Sequence, residues 1–436
     1  MADQGTDTQD TEDNGTPGPP GAAPPRRRIG GLWWQRDFRL LWVGETVSQF
    51  GSVATTVAIP LVAVTVLDAS AFAVGLLSAA VWLPWLLFGL PAGAWVDRLP
   101  RKPLMLWCDA ISFVLLVSVP VAAWFDVLTI EHLISVAFFA GVSALFFSTA
   151  YQVFLPAVVA DKDLSEANAK VQGSESAAQI GGPGLGGLLA QAFGAVTSLL
   201  ADAVTFLVSA LCLARMKVHD PLPEKAEHEK TSIITDIREG LRYTVTDPYL
   251  RPLVIYSGTS NLADTALQAV LIVFLVREIG LDAATVGGLI AFTGVGGIVG
   301  AMVASRIAAR LGTARTVLIA EIFSMPFALL IPMTTPGPGL VLFVIGVLVV
   351  NTGIAVSDVI VGTFRQSYTP RHLLGRITAS DRWVSYGTMP IGAVLGGTLA
   401  GVLGAQNAIW IAAAMQAMGP LILLTGPMRK QRDLPT

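Results

Sequence analysis

Asp264 stands in an apolar run over residues 251–275, with Asn261 three residues before it and Gln268 four after. Those spacings put the three side chains on one face of a helix. At 1.5 Å per residue Asp264 lies about 20 Å into the run, close to the midplane of a hydrocarbon layer about 30 Å thick. An ionised group there costs about 2.5–3.5 kcal/mol to insert, which makes it a functional candidate by default. A carboxyl held away from water can take up and release protons near neutral pH. The Asn261–Asp264–Gln268 stripe therefore reads as a proton-coupling or substrate-binding site facing a cavity; a hydrogen-bonded contact between helices is the alternative. Glu45, with Gln49 one turn on, poses the same choice nearer the start of its own run, between a proton or cationic-substrate site and a polar contact. Trp82, Trp85 and Phe88 can form an aromatic wall of that cavity, or face lipid or a neighbouring helix. Glu175 and Gln179 read as solvated structure, Glu321 as structural, and Asp202, Asn351 and Asp358 as weaker candidates.

These groups have to be positioned in a bilayer. The chain has 436 residues, 53% hydrophobic and 14% charged, with mean hydropathy +0.63; a soluble protein averages about 25% charged. Twelve segments have the length and apolarity of spans: about 40–64, 73–95, 104–125, 132–153, 169–191, 196–214, 251–275, 283–304, 315–333, 340–361, 380–402 and 406–426. The fifth is the weakest, because "EANAKVQGSESAAQ" is polar. The Gly- and Pro-rich stretch at the start cannot bury enough apolar surface to fold, so residues 1–37 read as a disordered tail. With both termini on one side, 27 of the 28 Lys and Arg fall on that side and only Arg277 on the other. The positive-inside rule makes that side the cytoplasm.

The chain also repeats itself. "GPGLGGLLAQAFG" (182–194) and "GAVLGGTLAGVLG" (392–404) agree at seven of thirteen positions at an offset of 210. Six spans plus six in the same orientation form a parallel repeat about an axis along the membrane normal. The expected domains are residues 38–214 and 251–426, with a 215–250 linker between them and a 427–436 cytoplasmic tail. In the linker Ile233, Ile237 and Leu241 share one face, as in an amphipathic surface helix. Gly-x-x-x-Gly, which lets helices approach closely, occurs at Gly89–Gly93, Gly182–Gly186, Gly296–Gly300, Gly392–Gly396 and Gly397–Gly401. Its recurrence in spans two, five, eight and eleven suggests the interface between halves, though simple structural packing explains it about as well as a moving interface does.

Several classes are excluded. No G-x-x-x-x-G-K-[ST] phosphate loop and no H-E-x-x-H occur, so neither ATP hydrolysis nor zinc proteolysis is expected. Two cysteines and four scattered histidines build no metal site. A net charge of −3 points to no nucleic acid. The expected partners are a small-molecule substrate, protons and lipid, with no cofactor and a monomeric chain.

"GLPAGAWVDRLPRKP" (89–103) ends the second span with four charges, which on topology alone would hold the loop in the cytoplasm. The motif resembles the loop 2–3 signature of the major facilitator superfamily, with Gly93, Asp97, Arg98, Arg101 and Lys102 matching. "DRLPRK" and "REGLRYTVTDPYLR" are similar to the efflux branch that holds the enterobactin exporter and the macrolide-efflux pumps. "GGPGLGG", with Gly182, Pro183, Gly186 and Gly187, resembles the drug/proton antiporter signature. The resemblance implies an all-α major facilitator fold of two six-helix bundles in the plasma membrane. It implies export of a lipophilic or amphipathic small molecule, such as an antibiotic, siderophore or secondary metabolite, in exchange for protons. It also implies a cytoplasmic gate in which Asp97 meets the start of the eleventh helix and Arg101 holds a neighbouring acid, expected to be Asp109. Import of a small nutrient on the same fold is the alternative.

Overall fold

The computed structural model describes residues 31–96, 98–160, 163–218, 233–369 and 374–435. The first half consists of α1 (Arg36–Thr65), α2 (Ala71–Val96), α3 (Arg101–Trp124), α4 (Ile130–Val158), α5 (Leu164–Phe193) and α6 (Ala195–Arg215). A linker helix, α7 (Ile233–Thr246), packs against the second half. That half consists of α8 (Leu250–Val273), α9 (Ala283–Leu311), α10 (Thr313–Ser324), α11 (Leu340–Tyr368), α12 (Leu374–Leu403) and α13 (Ala405–Met418). A π turn extends α8 through Glu278, and 3-10 turns extend α10 and α13. Among the described residues eleven helices are long and apolar enough to cross a membrane. The exception is α5, which is helical for 30 residues but polar from Leu164 to Gln179.

Sequence dictates the turns. Gly194 and Gly404, one repeat apart, have φ +86° and join α5 to α6 and α12 to α13 through a single residue; only glycine reaches that region without strain. Asp282 starts α9 by accepting the Thr285 amide at 3.0 Å, which holds its carboxyl below the ordinary range.

Chain order places both ends of the described chain at one end of the bundle, called here the terminal end; the other is the distal end. The halves meet where α2 crosses α12 and α5 crosses α9. A Cβ on Gly75 would lie 2.6 Å from Gly397 Cα, and one on Gly187 would lie 2.9 Å from Gly287 Cα. Both crossings are in the distal part. The apolar core is accordingly continuous across the halves there, running from Val57–Val64 through Leu133 and Ala266–Leu275 to Ile409. Toward the terminal end it divides. One cluster, with Phe38, Met105 and Phe154, belongs to the first half; another, with Leu250, Val317 and Phe364, belongs to the second.

Several expectations need correction. Most of the Gly-x-x-x-Gly pairs do not form the seam between halves. Gly182 and Gly186 meet Val53 and Ala54 of α1, Gly392 and Gly396 meet Leu262 and Ala266 of α8, and Gly296 and Gly300 meet α11, all inside one half. Gly89 and Gly93 meet nothing within 4 Å. Only Gly397–Gly401 reaches across, toward α2. Residues 31–37, expected in the tail, are structured: a 3-10 turn at Gly31–Trp34 buries Leu32, and α1 begins at Arg36. Residues 1–30 lie outside the described residues.

The segment after 427 is docked. Asp433 Oδ1 accepts the Thr313 amide at 3.0 Å, Arg432 O accepts the Ala314 amide at 3.1 Å, and Leu434 is 6% exposed. Asp433 thus caps α10 from outside its own helix, and Asp433→Ala should cost about 1 kcal/mol of stability. Truncation after Gln431, which also exposes the Leu434 site, should cost roughly 2–4 kcal/mol. Melting in detergent checks both: equal midpoints for wild type and truncation would show that the docked tail adds nothing.

Candidate functional site

Between the halves lies a cavity of about 570 Å³. α1 supplies one wall through Glu45, Ser48, Gln49, Ser52, Thr55 and Thr56, a polar strip at helical spacing on an otherwise apolar helix. Glu45 is 8% exposed; one of its oxygens accepts Gln49 Nε2 at 2.8 Å, and Oε2 has no hydrogen-bond partner. From α3 come Cys108, Asp109 and Ser112, and from α6 Asp202 and Phe206. α8 faces them with Asp264, Thr265 and Gln268. Gln416 of α13, 2% exposed, stands beside Asp264. Four carboxyls therefore surround one space, and no Lys, Arg or His is among the described residues that line it.

Trp82 and Trp85 of α2 close another side. Tyr386 of α12 sits against both, with ring centroids 6.0 Å from Trp82 and 5.2 Å from Trp85. Trp383 Nε1 donates to Leu86 O at 3.3 Å, a further tie between halves. Aromatic faces beside carboxyls suit an apolar cation, which gains from ring quadrupoles and from negative charge together.

The expected stripe is only partly realised. Asp264 and Gln268 reach the cavity, whereas Asn261 folds back and donates to Ser257 O at 2.9 Å. Phe88 is not in the cavity wall; its ring packs 6.3 Å from Trp95, which stacks on Phe146. Asp109 was expected to hold Arg101. Instead it is 1% exposed at the cavity, with the Ser209 hydroxyl beside it. Asp202, a weak candidate in sequence, is a cavity carboxyl. Glu321 is sealed in the second half, where it accepts the Tyr256 hydroxyl. Tyr256 and Glu321 sit within two residues of the repeat equivalents of Glu45 and Asp109, so one half opens this site to the cavity while the other closes it. Trp383, Tyr386 and Gln416 carry no signal in the sequence, because only the approach of α12 and α13 brings them in.

Of the gate cluster, Asp97 lies outside the described residues. Arg98 is exposed, and Arg101 begins α3. Lys102 Nζ donates to Met216 O at 2.7 Å, tying α3 to the end of α6 within the first half. Pro183 is buried in α5 with its carbonyl against Gly287. Gly187 contacts the same residue, so this motif does reach the other half. On the distal side Arg277 donates to Asp68 at 2.7 Å across the halves. Among the described residues it is the only Lys or Arg at that end, and it is used as a clasp.

Among curated proteins the chain is similar to the multidrug efflux pump Tap of Mycolicibacterium fortuitum, 26% identical over 366 residues, covering 82% of this chain and 86% of that protein. It is also similar to macrolide efflux protein A of Streptococcus pyogenes, 22% identical over 379 residues, covering 86% and 92%. A crystal structure of the nucleoside transporter NupG shares the fold, with TM-score 0.76 at 12% identity over 89% of this chain and 99% of that one. Residues 33–434 match the family described as transmembrane secretion effector. The chain, with its paired six-helix halves and the cavity between them, belongs to that family of major facilitator transporters: it is a multi-pass membrane transporter, not an enzyme.

Proposed function

We propose that the protein exports lipophilic or amphipathic small molecules, cations above all, in exchange for protons. The observation that carries this reading is the cavity itself: four carboxyls and an aromatic wall, with no cation among the described lining residues. A protonated carboxyl has no charge with which to hold a cationic substrate, so protons and such a substrate compete for the same groups. That competition is the exchange an antiporter needs. The named efflux relatives favour export over import.

The chain crosses the plasma membrane twelve times, with α5 as the polar twelfth span and both termini cytoplasmic. The terminal end is then the cytoplasmic face, and the described state, joined distally and parted terminally, is open inward. Substrate enters from the cytoplasm, and the halves rock about the cavity to release it outside. In the outward state Asp97 meets the start of α12, where an anion gains about 0.3–1 kcal/mol from a helix N-terminus. That is enough to bias a balanced equilibrium without locking it. The proton gradient supplies the energy without ATP, and one chain suffices.

Tetraphenylphosphonium and tetraphenylborate, alike in shape and opposite in charge, test the reading. Cells expressing the protein should retain several-fold less of the cation than cells without it. A protonophore should abolish the difference, and the anion should be unaffected. Raised retention of the cation would mean import, and equal handling of both ions would remove the role of the carboxyls.

A further inference from the structure

The Tyr151 hydroxyl, on α4, is buried and has no hydrogen-bond partner. The residue is 8% exposed and lies one turn beyond Phe147 and Ser148, which line the cavity, toward the terminal end of α4. Its ring stacks on Phe147 with centroids 6.3 Å apart and packs into the terminal cluster of the first half with Leu41 and Phe154. Glu45, the α1 lining residue nearest the terminal end, has an unpartnered oxygen too, because Gln49 occupies only the first. Glu45 and Glu175 of α5 are the carboxyls whose charge acts on Tyr151, and Glu175 acts on Glu45 as well. Neither Tyr151 nor Glu175 belongs to the cavity wall.

A buried hydroxyl costs free energy unless it is bonded. A phenol within bonding reach of a carboxylate donates to it, as Tyr256 does to Glu321 in the second half. In the first half Tyr151 and Glu45 act on each other through charge without bonding. That separation leaves room for one bridging group between them. The bridge must donate twice, to Glu45 Oε2 and to a lone pair of the Tyr151 oxygen, and positive charge suits a place beside two carboxyls. An ammonium ion with at least two N–H groups does both, and the stacked Phe147 and Tyr151 rings favour it further.

We propose that Glu45, Tyr151 and Glu175 form a recognition site for the head of a primary or secondary ammonium ion, so that the protein selects amphipathic amines by their N–H groups. One N–H donates to Glu45 Oε2 and a second to the Tyr151 oxygen, while Glu175 contributes charge. The apolar body of the ligand extends into the cavity toward Trp82 and Trp85. A quaternary ion keeps the charge and the ring contacts but leaves both atoms unpaired. The inference rests on the export reading and narrows its substrate class.

The test is equilibrium binding to the full chain in lipid nanodiscs of three cations on one pyrenylbutyl frame, with ammonium, dimethylammonium and trimethylammonium heads. Near neutral pH all three are charged. The ammonium ion should bind about tenfold more tightly than the dimethylammonium ion, because the second acceptor is otherwise left unpaired. The trimethylammonium ion should bind weakest. Each methyl group buries more apolar surface, so apolar contact alone would give the reverse order. Tyr151→Phe removes only an unbonded oxygen and should melt no lower than wild type. It should weaken the ammonium ion about tenfold and leave the other two within about twofold, since a single N–H goes to the carboxylate. An order that follows methylation overturns the proposal. So does ammonium binding unchanged in Tyr151→Phe, which would give the gap to water. Equal weakening of all three also overturns it and makes Tyr151 a support of the wall. Gradient-driven uptake of the trimethylammonium ion by wild-type liposomes is read alongside. Uptake without any ranking of the heads strikes this inference alone; no uptake would sink the antiport reading itself, and this inference with it.

Discussion

Asp264→Asn should abolish substrate-induced proton movement, by more than tenfold, and make ethidium binding weaker and less dependent on pH. The side chain sits near the middle of α8, faces the cavity and has Gln416 beside it. Asparagine keeps its volume but carries neither charge nor exchangeable proton, so the expected loss is of coupling rather than of fold. The mutant should melt no lower than wild type, since an ionisable group in a membrane interior is a cost, not a support. Proton release measured with a pH-sensitive dye in the vesicle lumen reads the coupling. Unchanged release would move the exchange to Glu45, whose second oxygen is unpartnered in the same cavity.

Gly397→Val should stop transport by a different route. The glycine backbones of α12 and α2 touch, and a Cβ at 397 would lie 2.8 Å from Gly75 Cα and 3.2 Å from Ala71 O. Backbone atoms cannot swing aside, so the helices must part, at a cost of about 1–3 kcal/mol or more for overpacking. A state parted on the distal side would be free of this clash, so the population should shift against the closed state by roughly 5- to 150-fold. Spin labels at Asp126 and Pro336, on distal loops of opposite halves, should move apart by several ångströms in a cysteine-free background, and transport should fall more than tenfold. A normal distance with normal transport would show that this crossing does not close the protein.

Much of the fold could be read from the residues. Apolar length marked the helices, and the offset of 210 exposed the repeat, which returns in the structure as equivalent contacts: Gly182 and Gly186 on α1, Gly392 and Gly396 on α8. The site was harder to see. A Gly-x-x-x-Gly pair shows that some backbone comes close but not whose, and most pairs chose a helix of their own half. Phe88 lies six residues from Trp82, about 240° around the helix, so it could not share the wall that Trp82 and Trp85 form. Asn261 lost its place because its amide could satisfy itself on the preceding turn. Asp109 and Asp202 became visible as cavity groups only in three dimensions. Their helices place them on a face, and the face opens onto the cavity only because α6 packs on α1 and α3 on α6.

On the proposed reading, cation and proton exchange through the one cavity. Everted vesicles from cells making the wild-type chain, acidified inside by respiration, test it most directly when ethidium is added and lumenal pH and ethidium uptake are followed together. Protons should leave the lumen in proportion to ethidium entering it, and a protonophore should stop both. Ethidium uptake without proton movement, or uptake indifferent to the gradient, would contradict it.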